Sequence, residues 1–213
     1  MTKIMHMIVV SDDLVDFQHV HPILLANGHL AIDVHLAEPP ARYHVYLDGL
    51  PHGAGRHVFR FDLAPAGLSG GTSRALHAAG SSVRVGPYTV EIQPSSIPIG
   101  EIATISVRIL KDGKPAKDLH PYLGMMSHGV FVGTKDLAYM HAHGMTSQML
   151  DMSDADDCGD SMMMQMPPIP PGATIGNEFE LQVLAPSSET YDLWLQFIGG
   201  ATLYTAPLLV TTK

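Results

Sequence analysis

HMIVVSDDLVDFQHVH, residues 6–21, and HGVFVGTKDLAYMHAH, residues 128–143, share one skeleton: a His, twelve residues, then His-any-His. His6, His19 and His21 in the first copy match His128, His141 and His143 in the second, each displaced by 122 positions (128 − 6, 141 − 19, 143 − 21). Three coincident offsets argue against accident. Within the first copy, Ile8, Val9 and Val10 form a β-branched run, Ser11-Asp12-Asp13 supplies turn chemistry, and Phe17 to Val20 resumes an extended pattern. The stretch therefore reads as a β-hairpin. With the turn near Asp12 and Asp13, His6 comes to lie opposite His19 and His21. Alternation along the strands then puts all three imidazoles on one face. The same pairing sets His128 against His141 and His143 around a Gly133-Thr134-Lys135 turn.

Outward from the hairpins, every patterned stretch reads as a strand. In the first half Leu30 to Leu36 alternate with His29, Asp33 and His35, and Tyr43, Val45 and Leu47 alternate with His44 and Asp48. His57 to Phe61 follow a Pro51 to Gly55 turn. The second half opens with Tyr88, Val90 and Ile92, and continues through Ala103, Ile105, Val107 and Ile109. A Lys111-Asp112-Gly113-Lys114 turn leads to the second His hairpin. Strands over residues 179–183, 191–197 and 204–211 close the chain, with Tyr191 placed like Tyr43. The absence of a helical period argues for an all-β protein of sandwich modules. The division expected is a first unit over 1–66, a linker over 67–82, and a second unit over 83–213 carrying an insert at 145–166.

The two units are unequal. The 122-residue offset gives the first no counterpart of the strands in 83–122, so it lacks N-terminal strands that the second possesses. Half a sandwich would leave an apolar face and an unpaired edge in water. Completion is expected from the second unit, from another chain, or from upstream residues.

Composition narrows the function. A formal net charge of −9 without a basic stripe argues against a nucleic-acid partner, and no apolar run is long enough to span a membrane as a helix. The opening residues do not read as a signal peptide. His and Met each number thirteen, and a single Cys excludes an internal disulfide framework. Imidazole and thioether together are a ligand set for copper or a related metal, with zinc the alternative ion.

The His triplets are the candidate metal ligands. Their competing reading is structural: His6 shares a face with Ile8 and Val10, and core imidazoles can be satisfied by backbone carbonyls. Burying three neutral imidazoles costs roughly 1 to 3 kcal/mol apiece unless each finds a partner, which weighs toward metal. The insert MTSQMLDMSDADDCGDSMMMQM, 145–166, reads either as a soft-metal capture loop or as a disordered acidic segment. In the first case Met145, Met162 or Met164 donates a fourth ligand, with Cys158 and His120 as further candidates. His29, His35, His44, His52, His57 and His77 read as exposed. No His follows Cys158 to make a blue-copper site, and no acid common to both copies could act as a base, so no catalytic residues are assigned.

MHMIVVSDDLVDFQHVHP, LHPYLGMMSHGVFVGTKDLAYMHAHG and TYDLWLQFIGGATLYTAPLLVTTK resemble exported bacterial proteins described as uncharacterised secreted or YtkA-like. The resemblance implies tandem immunoglobulin-like β-sandwich modules, here with the first incomplete at its N-terminus. It also implies copper or heavy-metal handling outside the cytoplasm, in the periplasm, in secreted form or at the cell surface. The function expected is metal binding, copper foremost, that buffers, sequesters or transfers the ion. Two other classes stay open: a structural or self-associating surface protein with structural histidines, and a three-His zinc hydrolase. A homo-oligomer, or strand complementation of the first unit, is the expected protein partnership.

Overall fold

A computed structural model of the chain describes residues 5–36, 42–49, 55–64, 80–151 and 168–213. The chain divides into two units, one ending at Leu76 and the other running from His77 to Lys213. Most of the expected 67–82 linker, and the insert beyond Asp151, lie outside the described residues.

The first unit contains β1 (Met5–Ser11), β2 (Phe17–Val20), β3 (Ile23–Leu24), β4 (Leu30–Ala31), β5 (Tyr43–Gly49) and β6 (His57–Leu63). Four of these form a sheet in the order β2-β1-β5-β6, all antiparallel, and β3 pairs with β4 in a separate two-stranded ladder. The β1 to β2 turn falls at Asp12 and Asp13, as the polar triplet demands. Val9, Tyr43 and Val45 make a small core against Met7, Val34, Leu36 and Leu47. The long strand expected over 30–36 is only two residues of ladder. Beyond Ala31 the chain leaves strand geometry, and Val34 and Leu36 pack as a covering segment instead.

The second unit adds β7 (Ser82–Val85), β8 (Tyr88–Gln93), β9 (Ser96–Ile97), β10 (Ile102–Lys111), β11 (Lys114–Pro115), β12 (Leu119–His120), β13 (His128–Gly133) and β14 (Tyr139–His143). After helix α1 (Ser147–Asp151) come β15 (Glu178–Leu184), β16 (Thr190–Gly199) and β17 (Thr202–Thr212). One sheet runs β11-β10-β8-β7 with β15 also on β10; the other runs β14-β13-β16-β17-β9 with β12 also on β16. Alternate residues of both sheets, among them Val90, Ile105, Val107 and Leu181 from one and Phe131, Leu193, Leu195 and Leu208 from the other, fill a common core. The strict burial alternation of β8 and β10 is the one their sequences call for. Asp112 and Gly113 turn the chain at φ 48° and 76°, the left-handed pair of a two-residue hairpin loop.

The duplication extends to hydrogen-bond register. Met7 faces Val20 as Gly129 faces Ala142, and His6 faces Asp48 as His128 faces Gln196. Further along the chain the offset changes to 148 (191 − 43), and Ser11 faces Tyr43 as Gly133 faces Tyr191; in the next ladder Tyr43 faces Leu63 and Tyr191 faces Val210, a shift of one residue. The sheet β2-β1-β5-β6 thus repeats β14-β13-β16-β17. Among the described residues the first unit has no counterpart of the sheet containing β8 and β10.

Two sequence expectations are corrected here. His44 and Asp48, read as the polar face of β5, are both buried, because that face of the sheet is covered as thoroughly as the other. The insert, read as a loop, opens with the short helix α1, whose residues Ser147 to Leu150 lack β-branching. Among the described residues, no helix is long and apolar enough to cross a membrane.

Candidate metal centre

Each hairpin delivers its histidines as the pairing arithmetic requires. In the first, the rings of His6, His19 and His21 converge with centroids 5.1, 4.9 and 4.8 Å apart. His6 Nδ1 is the hub: it lies 2.8 Å from His19 Nε2 and 3.2 Å from His21 Nε2. In the second, His128, His141 and His143 have centroid separations of 5.4, 4.5 and 4.6 Å. His128 Nδ1 lies 3.2 Å from His141 Nε2. Within each hairpin the first two histidines keep ligand atoms within 4.8 Å of each other.

Two nitrogens that share a tetrahedral ion at about 2.0 to 2.1 Å stand about 3.3 Å apart. The observed separations of 3.2 Å match that value, and the 2.8 Å pair needs only a small outward ring movement. The donor set is therefore compatible with a metal in either hairpin. The sites are well shielded: His128 is 1% exposed, His141 7% and His19 8%.

The surroundings of the two triplets differ. Behind His128 the chain makes a tight turn from Tyr122 to Met125, with Leu123 at φ 53° and Gly124 at φ 88°. This turn aims the Tyr122 carbonyl at the ring, where it accepts the His128 Nε2–H at 3.2 Å. A proton held on Nε2 leaves the Nδ1 lone pair directed at His141, the tautomer a ligand requires. Opposite His6 the register places Asp48, which is buried and gripped by Arg56 through Nε at 2.7 Å and through a second guanidinium nitrogen. Burial foremost, then the nearby His21, push the His6 pKa down to about 4; Asp48 pulls the other way. The ring is neutral and ready to coordinate at neutral pH.

Of the remaining candidates, Met145 is buried and its backbone exchanges two hydrogen bonds with Glu180, so it is anchored on the fold rather than free in a loop. His120, on β12, donates from Nδ1 to the Ala173 carbonyl at 2.9 Å. Met126, two residues before His128, is a core residue. Met162, Met164 and Cys158 lie outside the described residues, as do His52 and His77. His29, His35 and His57 are exposed as expected.

His44 is the correction. It is buried and bonded at both nitrogens, Nε2 to Asp12 Oδ1 at 2.9 Å and Nδ1 to Asp62 Oδ1 at 2.8 Å. It ties the tip of the first hairpin to β5 and β6. The second unit has Asp192 at the matching place and closes its hairpin tip otherwise. Glu189 there accepts the Lys135 N–H at 2.7 Å and the Ser187 hydroxyl at 3.0 Å. Burial, then a hydrogen bond with Asp136, raise the Glu189 pKa, while that bond lowers the pKa of Asp136.

Sequence reasoning missed Tyr122, Asp48, Arg56, Asp12 and Asp62. Asp48 was within reach, because extending the strand pairing from β1 to β5 puts it opposite His6. Tyr122 acts through its carbonyl, which no side-chain pattern reveals.

Residues 82–213 match the family described as Domain of unknown function (DUF8832). The chain belongs to that family. The DUF8832 region contains the whole second unit from β7 onward, with His128, His141, His143 and Tyr122. The first triplet lies outside the matched residues. A comparison with curated proteins found no match.

Proposed function

We propose that the protein binds copper through its two histidine triplets and buffers, sequesters or hands on the ion outside the cytoplasm. One observation carries this reading: in each hairpin three imidazole rings meet on one face, with the nitrogens of His6 and His21 in the first and of His128 and His141 in the second at the spacing of ligands to a common ion. The Tyr122 carbonyl supports it further, because it fixes His128 in the coordinating tautomer. The copper assignment, ahead of zinc, rests on thirteen methionines accompanying thirteen histidines. The extracytoplasmic setting and the reading of both units as immunoglobulin-like modules rest on the resemblance to YtkA-like secreted proteins. A Met-rich segment following the second triplet would supply soft thioether donors to Cu(I).

The test is metal analysis and calorimetric titration of protein purified without an affinity tag. We expect stoichiometric copper binding, with the second unit's equivalent abolished in His141→Ala/His143→Ala. An unchanged titration in that variant would remove the assignment.

A further inference from the structure

β6 is exposed along its whole length, with Val58, Phe59, Phe61 and Leu63 at 42, 57, 51 and 42%. Its inner edge pairs with β5, and among the described residues no strand pairs its outer edge. Phe59, Phe61 and Leu63 face the same way as Leu47, Val45 and Tyr43. That face is covered by Val34 and Leu36 over Val9 and Val45, but the cover stops short of β6. An apolar stripe beside an open strand edge is a template for another strand.

We propose that β6 pairs antiparallel with β6 of a second copy of this chain, about a two-fold axis through Phe61, giving one continuous eight-stranded sheet. The charges on the strand select both the occupant and the register. A two-fold axis normal to the sheet keeps every side chain on its own face, so each residue must oppose one of the same parity. Centring on Arg60 sets Arg60 against Arg60, and centring on Asp62 sets Asp62 against Asp62; like charges directly opposite are unfavourable. Centring on Phe59 sets Arg60 against Val58 and Asp62 against Arg56, which lies before the strand and is already engaged by Asp48. Centring on Phe61 sets Arg60 against Asp62 of the second copy, twice, and joins Phe59 with Leu63 of the second copy on the other face. The strand is complementary to itself in this register alone. Its partner edge also meets the need of a unit that has one main sheet among the described residues.

The experiment is sedimentation of the full chain with a chelator present, which removes any association through metal. A concentration-dependent dimer is expected for the native sequence. Arg60→Glu, which turns two attractive pairs into two repulsive ones on an exposed side chain, should weaken the dimer about tenfold or more. In a Cys158→Ser background, Phe61→Cys should form a disulfide-linked dimer on mild oxidation, because residue 61 faces its own copy; Phe59→Cys should do so poorly. A chain that stays monomeric overturns the proposal, and amides of β6 protected from exchange in that monomer would assign the edge to another segment of the same chain. A dimer indifferent to Arg60→Glu, or faster cross-linking at 59 than at 61, overturns it equally.

Discussion

The Nε2–H of His128 is donated to the carbonyl of Tyr122, six residues upstream, at 3.2 Å. Because that carbonyl belongs to a turn closed by hydrogen bonds between Tyr122 and Met125, the direction of an imidazole lone pair is set by backbone geometry. Nitrogen-15 NMR of metal-free protein should find His128 neutral with its proton on Nε2, and metal should move the Nδ1 resonance. A proton found on Nδ1 would contradict the ligand role.

Gly144 directly follows His143, and a Cβ there would come 2.4 Å from Ser127 Oγ, 2.8 Å from Phe179 Cδ2 and 2.9 Å from the Ser127 backbone nitrogen. Gly144→Ala must spread β13 and β14 where His128 and His143 pair. A loss of about 1 to 3 kcal/mol in denaturant unfolding is expected. Metal affinity in the second hairpin should fall about tenfold to a hundredfold. Wild-type affinity in a folded Gly144→Ala protein would show that the triplet tolerates looser pairing than the geometry indicates.

His6 has a folded pKa of about 4 against 6.5 in the unfolded chain, chiefly through burial. The unfolded state therefore binds the extra proton between these values, and stability falls as pH drops from about 6.5 to about 4, by on the order of 3 kcal/mol in all. Urea midpoints of metal-free protein across that window measure the loss, and His6→Gln should flatten it. A midpoint for the native chain that does not change with pH would refute the shift.

His44 holds Asp12 and Asp62 at once. His44→Ala leaves a carboxylate, Asp12, shielded from water without its imidazole, at a cost of about 3 kcal/mol. Asp62→Asn should cost under about 1 kcal/mol, since the Asp62 side chain is half exposed. Hydrogen exchange at the amides of β1 and β5 separates the two variants. Equal effects would mean that the Asp62 contact carries the tie.

The sequence showed most of the site and part of the frame. Alternation and turn chemistry located the hairpins, and an identical offset at three histidines predicted their convergence, because strand pairing is a rule of arithmetic once a turn is placed. What stayed hidden depends on burial from outside the strand. His44 and Asp48 look like a polar face until that face is covered, and Val34 and Leu36 look like a strand until their backbone finds no ladder. The Tyr122 contact is invisible for a different reason: a carbonyl carries no residue identity.

The change in offset from 122 to 148 falls entirely between the second hairpin and β16, yet β1–β2 and β1–β5 keep the register of β13–β14 and β13–β16. The connection after the His-any-His strand is thus a splice point, where chain can be added without disturbing the imidazoles. Transplanting residues 145–166 behind His21 should therefore be accepted by the first hairpin, which would make the pair of units a built-in control: one ligand frame with and without its methionine-rich appendage.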